Sequence, residues 1–285
     1  MTPPAHGTAG SREALPPKAL DVLAVVRQSF IVLVRDTWKV ALVALLFGAP
    51  AFAIDLAGWA EPRVAPTTIL GECWRLAVIF PKSIPGHLVA APLVYVAVRS
   101  AAGRTWTLRR AMLEGLLNMP WVLVTATLAL LAIGAGTLFC VLPGLFVGTL
   151  LWVALPAAVV ERSGAVHALR RSVQLTKSAR WQVFLVVLAL AFLVKGGNLA
   201  LEMIFQPAKS LLGEAGVVAL SFVPSVCLGA LLHLGAAFTY LQLRAFAEPC
   251  WQPGLEGDHD ALEATEGKDP EIRSSPGSDG DREAK

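Results

Sequence analysis

The sequence is poor in charge. Asp, Glu, Lys and Arg make up only 16% of its 285 residues, against 55% apolar residues and a mean hydropathy of +0.61. A soluble domain carries roughly 25% charged residues, so this balance excludes a soluble globular enzyme, a collagen and a disordered chain. The four cysteines (Cys73, Cys140, Cys227 and Cys250) lie far apart, with no C-x-x-C. That spacing excludes a zinc ribbon and a small disulfide framework, and Cys140 and Cys227 fall in apolar runs where buried, unreactive thiols are expected. G-x-S-x-G, H-E-x-x-H, the Walker sequence and paired-carboxylate loops are all missing, so neither an enzyme nor a bound metal or cofactor is expected.

Acidic residues are scarce in the body and crowded in the tail. From Glu248 onward there are eleven Asp/Glu and four Lys/Arg, whereas residues 1–247 hold ten acidic and twenty basic side chains. The basic residues sit beside apolar spans, which argues against a nucleic-acid partner and for a membrane surface. Residues 1–17 are rich in Pro, Gly and small side chains without an apolar core, and read as a disordered arm rather than a cleavable signal. Residues 248–285 read as a disordered acidic tail.

What is present between the two is hydrophobic length. Crossing a bilayer takes about 20 residues at about 1.5 Å each. Pro120–Val160 runs for forty-one residues without a charge, about twice that length, and Leu142-Pro143-Gly144 interrupts it as a turn would. The expected spans are approximately 40–60, 76–98, 120–141, 145–160, 181–205 and 217–246, the fifth weakened at Gly196-Gly197 and the sixth kinked at Pro224. The fold class predicted is all-α, a polytopic membrane helix bundle of about six spans within residues 18–247. Lys and Arg set its orientation: fourteen lie at one set of helix ends and five (Arg63, Arg75, Lys82, Lys195, Lys209) at the other. By the positive-inside rule, both termini are expected in the cytoplasm.

One pattern occurs three times. A basic amphipathic segment runs into a Trp that opens a span: 19–37 before Trp38, 107–119 before Trp121, and 164–179 before Trp181. Such segments are expected as three interfacial helices, with the Trp at headgroup level. In the third, Arg170, Arg171, Lys177 and Arg180 are candidates to cradle lipid phosphates, with Ser172 and Thr176 adding hydrogen bonds; the plainer reading is an orientation signal alone. Ionisable residues within spans are costly and therefore informative. His87 lies twelve positions from Arg99, and His233 eleven from Arg244, so both reach a similar depth. They form either a shared polar path or two separate neutral histidines, each bonded to a helix carbonyl. Asp55 and Lys82 stand at one depth, roughly 25 Å from the basic interface, and are expected to pair. Lys195, ahead of Gly196-Gly197, marks either a broken-helix substrate site or a side chain that snorkels outward. Gly134, Gly136, Gly144 and Gly148 permit close helix approach, within the hairpin or across a homodimer.

Several of these elements occur together in a known arrangement. Pro143-Gly144, Pro156 five residues before Glu161, Ala168-Leu169, Arg171-Ser172, Leu175-Thr176 and Trp181 resemble the membrane domain attached to some bacterial glycerophosphodiester phosphodiesterases and related stand-alone integral membrane proteins. Gly103-Arg104 and Tyr240-Leu241-Gln242-Leu243-Arg244 extend the resemblance over approximately 21–247; Ser178, where the pattern has Gly, departs from it. The resemblance implies a bacterial inner-membrane domain without phosphodiesterase activity, because that catalysis belongs to a separate soluble barrel. The expected function is that of a scaffold or accessory protein engaging anionic phospholipid through a basic belt. The alternative is a solute or lipid transporter that uses the polar residues within the spans. Its partners would be membrane phospholipids and, beyond them, a second copy or another membrane protein.

Overall fold

The computed structural model describes residues 20–56, 86–249 and 251. The chain divides into Met1–Pro253 and Gly254–Lys285, and every described residue belongs to the first. Among the described residues the structure is helical, without strands. The helices are α1 (Val22–Arg35), α2 (Thr37–Leu56), α3 (Ala90–Ala101, preceded by a short 3-10 turn His87–Val89), α4 (Leu108–Phe139) and α5 (Val141–Leu150). They continue with α6 (Ala154–Glu161), α7 (Ala165–Thr176), α8 (Arg180–Phe205) and α9 (Lys209–Ala247).

Among the described residues, four stretches are long and apolar enough to cross a membrane: Leu108–Phe139, Val141–Glu161, Arg180–Ala208 and Ala219–Ala247. Thr37–Pro50 and His87–Ala101 are shorter apolar helices, and residues 57–60 and 76–85 of the first two expected spans lie outside the described residues. The surface is inverted relative to a soluble protein. Phe192, Met203 and Leu211 are exposed, as side chains facing lipid are.

The core gathers around α9. This helix packs against α1, α2, α3, α6, α7 and α8, and its Leu231, Leu234 and Tyr240 are among the largest fully buried side chains. Asp21 caps α1 by accepting from the Ala24 N–H at 3.0 Å, a cap of the kind worth about 1 kcal/mol. The Asp21 N–H in turn donates to the Gln242 side chain on α9 at 3.3 Å, which ties the start of α1 to the core helix.

Several element boundaries depart from the sequence pattern, each for a local reason. The hairpin turns at Cys140, in extended conformation, and not at Leu142-Pro143-Gly144. Pro143 lies inside the first turn of α5, where its missing N–H has no helical partner to lose. Gly144 is required there: a Cβ on it would stand 2.6 Å from Thr137 Cγ2 and 2.8 Å from Thr137 N. Gly136 and Gly144 thus serve close contact within the hairpin, whereas nothing lies within 4 Å of a Cβ placed on Gly134.

The second amphipathic segment is not a separate helix but the first turns of α4, continuous through Pro120. The expected 145–160 span is two helices, α5 and α6, separated at Leu151–Val153. Pro156 accounts for the separation, because it cannot donate to the Trp152 carbonyl. Gly196-Gly197 does not interrupt α8. Gly197 lies close to Leu228, 2.9 Å from an added Cβ, so it serves the contact between α8 and α9. In α9 the non-helical residue is Gly213, with Pro224 inside the helix.

Candidate functional site

The break between α5 and α6 leaves a backbone group to be satisfied. The Ala154 N–H bonds to Leu151 O at 3.0 Å, so the Leu150 carbonyl loses its helical donor. Ser172 supplies the replacement, its hydroxyl donating to Leu150 O at 2.7 Å, while Thr176 donates to Ser172 O at 2.8 Å. Both hydroxyls are fully buried. Ser172 and Thr176 therefore do not face lipid phosphates as expected. They hold α7 against the bent strand of helix that precedes it.

At the end of α6 the chain reverses through Arg162, in the left-handed region at φ 46°, and Gly164 at φ 91°. The second value favours glycine. The reversal lays α7 against α6 and brings a polar knot together. Glu161 Oε1 accepts from Arg171 Nε at 2.9 Å and from the Tyr240 hydroxyl at 2.9 Å. Arg244, one turn beyond Tyr240, donates to the Tyr240 oxygen through Nη1 at 2.9 Å and to Glu248 Oε2 through Nε at 3.0 Å. Arg171 Nη2 closes the ring on Glu248 Oε1. Two guanidiniums and two carboxylates are thus joined, with Tyr240 as the hydrogen-bonding bridge.

Beyond the last helix, the Trp251 N–H bonds to Glu248 O at 2.9 Å and the indole lies 4.5 Å from the Arg244 guanidinium. Burial pushes the Glu248 carboxyl up, but the hydrogen bonds from Arg244 and Arg171 outweigh it and hold the group below the usual carboxylate value. Burial opposes the charge on Arg171 too, and its bonds to Glu161 and Glu248 more than restore it. Arg171 is thus committed to the protein's own carboxylates instead of standing free beside lipid.

The other expected basic residues turn outward. Arg170, Lys177 and Arg180 are exposed, and Arg180 lies 5.8 Å from the Phe146 ring. On α7, Val166 and Val173 are exposed together with Arg170 and Lys177. Their i, i+4, i+7, i+11 spacing puts all four on one face. The same composition recurs on α1, where Leu23, Arg27, Phe30 and Val34 are exposed, and at the start of α4, where Arg109, Leu113 and Leu116 are. Trp38, Trp121 and Trp181, which follow these segments, are exposed by 62%, 47% and 79%.

No family description, curated protein or solved structure matches this chain. Its site is therefore read from its own geometry.

Within the apolar part, the structure brings His87 and His233 together, their rings edge to face with centroids 5.7 Å apart. The Nδ1 of His87 is buried without a hydrogen-bond partner. Lys195 is exposed on an unbroken helix, which removes the broken-helix reading and leaves an outward-reaching side chain. Lys82 and the side chain of Asp55 lie outside the described residues, and so does their expected pairing.

Sequence reasoning missed two further clusters. Asp36, between α1 and α2, accepts from Trp106 Nε1 at 3.2 Å and from Arg35 Nε at 3.1 Å, with Lys39 Nζ at 3.5 Å. Burial raises its carboxyl, and these partners more than reverse the effect. Glu114 accepts from Arg162 Nη2 at 2.6 Å and from Asn118 Nδ2 at 3.1 Å. A signal was available for both: Asp36 and Glu114 are isolated acids in strongly basic segments, where a charge partner is expected.

Proposed function

We propose that this chain is a non-enzymatic integral membrane protein that engages anionic phospholipid as a scaffold or accessory component. One observation carries the reading: three segments each present an exposed face that mixes basic and large apolar side chains, and each is followed by an exposed Trp. Apolar side chains on such a face enter the acyl boundary, Arg and Lys reach headgroup phosphates, and the indole occupies the layer between. Each basic residue near an anionic surface contributes about 1 kcal/mol.

The finer parts of this reading belong to the same proposal. The first and third segments are interfacial helices and the second lies at the interface as the first turns of α4, each leading into a two-helix hairpin, giving six spans. Both termini face the cytoplasm of a bacterium, and the protein sits in its inner membrane. The resemblance to the membrane domain of glycerophosphodiester phosphodiesterase type supports this setting. A transporter is the second reading, favoured by the meeting of His87 and His233 among apolar helices.

Two experiments test the proposal. Native mass spectrometry of the purified chain is expected to show phosphatidylglycerol or cardiolipin retained in preference to phosphatidylcholine; equal retention defeats the lipid reading. Proteoliposomes that pass a solute in a manner abolished by His233→Ala would replace it with the transporter. For orientation, Ser11→Cys is expected to resist labelling in intact cells and Arg63→Cys to react, and the opposite pattern inverts the topology.

A further inference from the structure

The two carboxylates of the polar knot are not equivalent. Glu161 is 11% exposed in its side chain and belongs to α6, whereas Glu248 is 38% exposed and stands just past the end of α9 with non-helical backbone (φ −133°, ψ 81°). Glu161 also accepts from Tyr240, within the core. Glu248 instead uses one oxygen on each of two arginines that come from different helices, Arg171 on α7 and Arg244 on α9. Both guanidiniums are mostly buried, their side chains 20% and 7% exposed. They are fixed from behind, Arg171 by Glu161 and Arg244 by the Tyr240 hydroxyl. Two preset guanidiniums converging on one oxyanion form a phosphate-binding arrangement, because planar forks match phosphate oxygens as well as they match a carboxylate.

We propose that Arg171 and Arg244 form a binding site for a phosphomonoester or phosphodiester group, and that Glu248 fills this site as a tethered competitor which the ligand displaces. The inference rests on the lipid-engaging reading above and deepens it. The exposed faces attract anionic lipid loosely, while this site selects a phosphate by two directed guanidiniums. Displacing Glu248 takes one negative charge away from the two guanidiniums, and an arriving phosphate replaces it. Glu248 can be displaced by rotating its side chain alone, with its backbone still bonded to Arg244 O and the Trp251 N–H, whereas the Glu161 carboxylate is also held by Tyr240 within the bundle. An attached competitor also weakens apparent affinity, since its local concentration is high. Removing it should therefore reveal the site.

The test uses the full chain in nanodiscs of phosphatidylcholine, with inorganic phosphate as the probe and sodium chloride at matched ionic strength as the control. Glu248→Gln is expected to unfold at a lower temperature than wild type in chloride alone, because Arg171 and Arg244 lose the carboxylate they share. Phosphate should restore its midpoint, at a concentration about tenfold lower than any effect on wild type. Glu248→Gln combined with Arg244→Lys should not recover. Glu248→Asp, which keeps the charge but withdraws the carboxylate by one methylene, gives an intermediate phosphate response and covers the case in which the Gln variant does not fold. Repeating the series with phosphatidic acid in the nanodiscs separates a headgroup from free phosphate, and recovery in either arm supports the site. If chloride restores the variant as well as phosphate does, or phosphate acts equally on wild type and Glu248→Gln, the site does not exist. Neither result touches the lipid-engaging faces, which are tested separately through Arg170 and Lys177.

Discussion

Arg170 and Arg171 are neighbours in sequence and opposites in surroundings. The first is exposed on the face of α7 that carries Val166, Val173 and Lys177. The second reaches inward to Glu161 and Glu248. Helical geometry separates consecutive side chains by about 100°, enough to turn Arg170 outward and Arg171 toward the core. Positive charge on a membrane helix therefore does two different things within one turn. Outside, on the proposed function, it meets a soft and screened counter-charge. Inside, it is part of a set of hydrogen bonds with fixed partners.

The largest difference should appear in stability. Arg171→Ala leaves Glu161 and Glu248 without their shared cation and is expected to cost about 3 kcal/mol, whereas Arg170→Ala should stay within about 0.5 kcal/mol. Chemical unfolding in detergent measures both. Arg171→Ala combined with Glu248→Gln should cost less than the sum of the single changes, as coupled partners do.

The comparison reverses for lipid. Arg170→Gln with Lys177→Gln is expected to weaken retention of phosphatidylglycerol by about 2 kcal/mol, roughly thirtyfold, with unfolding unchanged. If lipid retention instead followed Arg171 alone, the outward face would have no role in it.

A smaller effect isolates the seam that keeps the two faces apart. Ser172→Ala removes the donor to the Leu150 carbonyl and should cost about 1 kcal/mol, while Ser178→Ala, exposed just beyond α7, should cost nothing measurable.

The smallest effect is the response to acid. Glu248 and Asp36 both titrate below their ordinary values when folded. Their stabilisation is complete above the ordinary carboxylate value and is lost as pH falls through the lowered one. The transition temperature of wild type should thus fall on acidification below about pH 4, and Glu248→Gln should flatten part of that slope. An unchanged slope would mean that the Glu248 pairs contribute no pH dependence.

Much of this was legible in the sequence. Hydrophobic length located the paired apolar helices from Pro120 to Val160, and counting residues from the basic ends put His87 and His233 at one depth, where the structure joins them. Gly136 and Gly144 were legible as close contacts. The direction of Arg171 was not, because composition shows a cluster of charge and not the angle at which each member leaves the helix. Pro143 and Pro156 look alike in sequence but act differently. One sits in the first turn of a helix, where a missing N–H is harmless, and the other separates two helices at a break where Ser172 satisfies the Leu150 carbonyl. The role of Ser172 depends on a partner twenty-two residues away, beyond the reach of any local pattern.

The turn at Cys140 bears on how the protein is made. It joins α4 and α5 through a single residue, and Phe139, Val141 and Leu142 beside it are exposed by 88%, 70% and 73%. A hairpin with a polar loop must drag that loop through hydrocarbon when it is inserted. This one carries only apolar side chains at its turn, and the Cys140 N–H and C=O are bonded to Gly136 O and the Gly144 N–H. The work of insertion that falls on a biosynthetic machinery is correspondingly small, and the pair can enter as one wedge, tip first. Placing a single Asp or Lys at Leu142 would load that tip with a charge and make entry, rather than folding, the difficult step.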